Sequence, residues 1–92
     1  MFGAIGNGMI TVKFFSIIRE ALEAESLELE WTPALNDIAA VKARLIAQGG
    51  AVWNEALNQE DVLMARNHRV VLASEPIADG DELAFFPPMT GG

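Results

Sequence analysis

The chain closes on ELAFFPPMTGG, residues 82–92, and this stretch decides how the rest is read. Its first five residues, ELAFF, form the last of several strand-like segments. Pro87 and Pro88 then end that strand, because proline fixes φ and offers no N–H to a sheet ladder. Two consecutive prolines favour an extended arm. From residue 87 to residue 92, at roughly 3.1–3.3 Å per residue, the arm spans about 20 Å. Gly91 and Gly92 carry no side chains, so another backbone can close tightly around them. The α-carboxylate of Gly92 is then the one functional group presented at the tip.

Upstream of that strand, PIADGDE at 76–82 is turn chemistry centred on Asp79-Gly80. VLMA at 62–65 and RVVLA at 69–73 form a hairpin that turns near Asn67-His68, since asparagine tolerates left-handed backbone. Near the start, MITVKFFSI at 9–17 alternates, with Ile10, Val12 and Phe14 on one side and Thr11, Lys13 and Phe15 on the other. IREALEA at 18–24 makes a short helical turn. SLELEW at 26–31 alternates again and forms a second strand.

The middle of the chain is helical. Asn36 or Asp37 caps a helix in which Ile38, Val41, Leu45 and Ile46 recur at helical spacing, and Gly49-Gly50 stops it. A shorter helix over Val52–Asn58 turns Trp53, Ala56 and Leu57 to one side. Helices segregated from a mixed sheet give the α+β class. One main helix on such a sheet fits the ubiquitin-like, or β-grasp, arrangement. The working domain is 9–86 and the extended tail is 87–92. Residues 1–8, with glycines at 3, 6 and 8, read as a flexible leader or an expression remnant.

Bulk properties narrow the function. Ninety-two residues make one domain with a modest core. With no cysteine there is no disulfide, no thiolate metal site and no persulfide. A net charge of −7 disfavours nucleic acid and anionic membrane and favours a partner with a basic surface. No apolar run approaches the ~20 residues of a membrane span. No metal-ligand set stands out, and no constellation supports catalysis by this chain alone.

The segments MITVKFFSIIRE at 9–20, MARNHRVV at 64–71 and PIADGDELAFFPPMTGG at 76–92 resemble the small, sulfur-carrier subunits of molybdopterin synthase. Met89, where that family commonly has valine, is a mild departure. The resemblance implies a carrier located in the cytoplasm. A partner adenylating enzyme would use ATP to activate Gly92, and a sulfur donor would convert the acyl-adenylate to a thiocarboxylate. The charged tail (Pro87, Pro88, Met89, Thr90, Gly91, Gly92) would enter the large synthase subunit and give sulfur to a cyclic pterin precursor. It also implies a heterotetramer with two large subunits in the middle, and no cofactor held by the carrier itself.

Three rivals share some of these features: a carrier for thiazole or tRNA thiolation, a modifier that joins lysines through Gly92, and an interaction domain with an incidental tail. Phe15, Val70 and Phe86 form either a docking patch beside the tail or, if the strand register is one residue off, part of the core. Asp79, Asp81 and Glu82 are further docking candidates. The glutamates at 20, 23, 25, 28 and 30 make a solvated acidic face, with Arg19 pairing to Glu23. His68 is a turn residue, and Trp31 and Trp53 are core or partly covered.

Overall fold

The computed structural model describes residues 8–88. Five strands and three helices follow in the order β1 (Gly8–Phe14), α1 (Ser16–Leu22), β2 (Ser26–Trp31), α2 (Ile38–Gly49), α3 (Ala51–Leu57), β3 (Leu63–Arg66), β4 (Arg69–Val71) and β5 (Glu82–Phe86). The strands form one sheet in the order β2-β1-β5-β3-β4. The central pair β1–β5 is parallel, and every other pair is antiparallel. This is the α+β β-grasp expected from the sequence.

β1 is shorter at its end and longer at its start than the alternation predicts. It begins at Gly8, one residue inside the segment read as leader. It stops at Phe14, because Ile17, Ile18, Ala21 and Leu22 already follow helical spacing. Phe15 is extended and becomes the N-cap of α1, its carbonyl accepting from the N–H groups of Ile18 and Arg19. Ser16 makes the bend with φ of 59°. At the other end of α1, Glu23 leaves the helix in left-handed backbone. That takes it off the α1 surface, and no Arg19–Glu23 ion pair forms among the described residues.

α2 starts where its cap predicts. Asp37 Oδ1 accepts from the N–H of Ala40 at 2.8 Å, a contact that contributes about 1 kcal/mol. Ile38, Val41 and Leu45 are buried against the sheet, and Gly50, with φ of 82°, breaks α2 from α3. The sheet's inner face supplies Ile10, Val12 and Phe14 from β1, Leu29 from β2, and Leu83 and Phe85 from β5. Register places Val12 beside Leu83 and Phe14 beside Phe85. The Phe14 and Phe85 rings stack at 6.1 Å, and Trp53 of α3 meets Phe14 edge-on at 5.5 Å. Burying each phenylalanine contributes roughly 2–3 kcal/mol, so this aromatic cluster fixes the register of the two central strands.

Candidate functional site: the sheet face at the root of the tail

Opposite the core, the five strands leave one face uncovered by helix, and register assigns its occupants. Leu63 pairs with Phe86, Ala65 with Ala84, and Ala65 again with Val70. These five residues therefore share the outer face, while Phe85, Leu83, Met64 and Val71 point inward. The Phe15 N–H donates to the Phe85 carbonyl at 3.2 Å, which sets Phe15 beside Phe86 at the same end of the sheet.

The three residues singled out from the sequence are thus brought together on one face, and none belongs to the core cluster. Val70 is 62% exposed and Phe15 44%. Phe86 is only half-buried, packed beside Leu63. Leu63, Ala65 and Ala84 complete the patch. Sequence reasoning passed over them, although the hairpin register at Asn67-His68 would have found them.

Toward β2 the same face becomes polar. Met9, Thr11 and Lys13 of β1 lie opposite Glu30, Glu28 and Ser26. Lys13 Nζ and His68 Nε2 approach Glu82 Oε2 at 3.5 and 3.2 Å. Partial burial raises the Glu82 pKa, but the hydrogen bond from His68 and the Lys13 charge outweigh it and hold the carboxyl below its ordinary value. His68 sits at the hairpin tip as expected, with φ of 72°. It also has a carboxylate neighbour, Glu82, that no local pattern around residue 68 marks.

Of the acidic residues offered as docking candidates, Asp81 belongs to the scaffold, and Asp79, exposed, also serves its turn. Asp79 Oδ1 accepts from the Met9 N–H at 3.1 Å, and the Gly80 N–H donates to the Met9 carbonyl at 2.9 Å. This turn is therefore fastened to β1. Space is tight there, since a Cβ on Gly8 would clash with the Asp79 carboxylate.

Asp81 is buried, with 8% of its surface exposed. Its carboxylate accepts from Arg66 Nε at 2.7 Å, Asn67 Nδ2 at 3.0 Å and the Ala78 N–H at 2.8 Å. Burial pushes the Asp81 pKa up, but the bonds from Asn67, Ala78 and Arg66 more than offset it, leaving the carboxyl below its ordinary value. Arg66, also 3.2 Å from Glu75 Oε2, is held above its own. A buried acid with three donors cannot reach a partner, so Asp81 orders the sheet. Glu82 stays on the outer face.

The tail begins at the C-terminal end of β5. Phe86 belongs to the outer face, and the strand's alternation turns Pro87 to the helix side, where it lines a groove with Ile17 and Val52. Pro88 is half-buried. Met89, Thr90, Gly91 and Gly92 lie outside the described residues, as does the leader up to residue 7. No helix among the described residues is long and apolar enough to cross a membrane.

This geometry has relatives. A molybdopterin synthase sulfur carrier subunit from Haemophilus influenzae is 36% identical over 86 residues, covering 91% of this chain and all of the relative. One from Escherichia coli is 37% identical over 84 residues, with the same coverage. Among solved structures, SAMP1 from Haloferax volcanii superposes with a TM-score of 0.72 at 22% identity, over 92% of this chain and all of that one. It supports the fold alone. Subunits 1 and 2 of molybdopterin-converting factor from Helicobacter pylori were solved as a complex, and it matches with a TM-score of 0.61 at 25% identity, over 91% of this chain and 99% of that one. The model of the ThiS family matches residues 12–92, from the middle of β1 through Gly92, and the chain belongs to that family.

Proposed function

We propose that this protein is the sulfur carrier of molybdopterin synthase. The observation that carries the reading is the position of the tail root. Five outer-face residues and Phe15 make an apolar surface beside the point where β5 hands over to Pro87, and the family match runs on through Gly92. A partner that grips the patch receives the tail in a fixed direction. Both curated relatives bear the sulfur-carrier name over their full length.

The chemistry follows from having a carboxylate as the only usable group. A carboxylate is a poor acylating agent because oxide is a poor leaving group. In the proposed sequence, a Gly92 oxygen attacks the α-phosphorus of ATP on an adenylating enzyme, and pyrophosphate leaves. Hydrosulfide released by a sulfur donor then attacks the acyl carbon, and its proton is lost to solvent. A C–S bond forms, the acyl C–O bond to AMP breaks, and Gly92 ends as a thiocarboxylate. Its sulfur is the nucleophile delivered to the pterin precursor in the large subunit. ATP belongs to the activating partner, and a cytoplasmic setting would supply it.

The test is intact mass after incubation with the adenylating enzyme, ATP and a sulfur donor from the same organism. The expected product is one sulfur-for-oxygen exchange heavier, and it restores pterin dithiolene synthesis when mixed with the large subunit. Adding one leucine after Gly92 should abolish both. Retained activity in the extended chain, or covalent ladders on other proteins in place of the exchange, would overturn the reading.

A further inference from the structure

The tail root has a second apolar side. α1 and α3 border a groove of about 380 Å³ whose lining includes Pro87. Ile17 and Ala21 of α1 line it, facing Val52 and Ala56 of α3, with Val62 at the base. Ile17 is 64% exposed and Val52 57%, so two of the six large exposed apolar residues among those described stand on one groove. Single exposed apolar side chains are ordinary on protein surfaces, whereas several that converge on one concavity mark a contact site.

The groove and the sheet patch lie on opposite sides of the tail root, where Pro87 lines one and Phe86 belongs to the other. Phe15 precedes Ile17 by two residues and caps α1, so it stands where sheet face meets helix. At the strand end, Phe86 faces one apolar surface and Pro87 the other. A polypeptide that encloses the tail must therefore pass both.

We infer that the α1/α3 groove is a second docking surface, and that it takes an apolar anchor flanked by basic side chains on the large subunit. This rests on the carrier reading above. Two observations select the occupant. Glu55 and Asp61 sit in the groove wall, and the chain carries a net charge of −7, so basic flanks are complementary. A similar protein from Helicobacter pylori was solved as a complex with a second subunit, and a partner of that kind that encloses the tail root passes Pro87, which lines the groove.

The experiment is calorimetric binding of the full chain to the large subunit from the same organism. It uses wild type, Ile17→Glu, Val52→Glu and the charge reversals Glu55→Lys and Asp61→Lys, with thermal melts as controls. All four sites are on the surface, so the melts should stay near wild type. Each apolar-to-Glu change should weaken binding by about tenfold, equivalent to about 1.4 kcal/mol. The reversals should weaken it less and flatten its salt dependence.

Unchanged affinity in both Ile17→Glu and Val52→Glu would overturn the inference while leaving the carrier reading intact. So would a loss seen only with the adenylating enzyme, which would make that enzyme the occupant. If wild type itself fails to bind the large subunit and gains no sulfur, the carrier reading and the inference fall together. If either Glu variant unfolds, Ile17→Ser or Val52→Ser carries the same comparison.

Discussion

Replacing Asp81 with alanine should cost the fold a large share of its stability. The carboxylate takes three hydrogen bonds, from Arg66, Asn67 and the Ala78 N–H, in a position only 8% exposed. A hydrogen bond contributes about 1 kcal/mol net, and more when a charged group is involved, so the loss should be about 3 kcal/mol. A domain of this size holds only about 5–10 kcal/mol in total. At roughly 4–8 °C per kcal/mol, the melting temperature should fall by about 12–24 °C. Urea titration followed by the fluorescence of Trp31 and Trp53 measures the loss directly. The acid limb gives an independent check. The folded-state pKa of Asp81 lies below its unfolded value, so its contribution is present above that value, about 3.9. It is lost as pH falls through the lower, folded-state pKa. Wild type and Asp81→Ala should therefore converge in acid and separate at neutral pH. A loss under about 1 kcal/mol at pH 7, with no convergence, would mean the cluster is worth no more than an exposed ion pair and would refute the argument.

Other consequences can be checked with simpler measurements. Val70→Asp on the exposed outer face should leave the melting temperature within a few degrees of wild type, yet weaken binding to the large subunit about tenfold in a calorimetric titration. Gly80→Ala, at φ of 89°, forces a left-handed alanine and should cost about 1 kcal/mol by urea titration, although nothing stands in the way of its Cβ. Asp37→Ala removes the α2 cap and should cost about 1 kcal/mol, again by urea midpoint. Trp31 Nε1 is buried without a hydrogen-bond partner among the described residues. Removing that N–H in Trp31→Phe should therefore cost less than the roughly 1–2 kcal/mol expected from lost apolar area alone.

Strands with strict alternation could be read from the sequence residue by residue. SLELEW became Ser26–Trp31, and ELAFF became Glu82–Phe86. Two-residue turn chemistry was as clear, and Asn67 and His68 carry the two positive φ values the hairpin needs. The junction at Phe15 was less clear, because FFSII satisfies strand and helix patterns equally until tertiary contacts decide. The turn at Asp79 could be read, but its tie to Met9 and the role of Asp81 could not. Their donors lie 70 residues away at Met9 and 15 away at Arg66, and no local pattern encodes that proximity. The groove between α1 and α3 was hidden for the same reason. Ile17 and Val52 each look like an ordinary helical apolar residue until the two helices pack.

The long-range ties around Asp81 also explain how a five-residue strand aims a tail. β5 is held at its first residue from both sides. Asn67 donates its backbone N–H to the Glu82 carbonyl at 2.7 Å, and Asn67 Oδ1 accepts from the Glu82 N–H at 2.9 Å. Just before it, the Asp81 carbonyl accepts from the Thr11 N–H at 3.1 Å. At roughly 3.3 Å per residue the tail root lies only about 16 Å further on. A slip of one residue there would exchange Phe85 with Phe86, placing an aromatic ring meant for the core on the outer face and turning Pro87 out of its groove. On the carrier reading, the Asp79–Asp81 turn would bear on function through the register of β5. It fixes which residue of β5 faces outward, and so the direction in which the chain leaves the sheet.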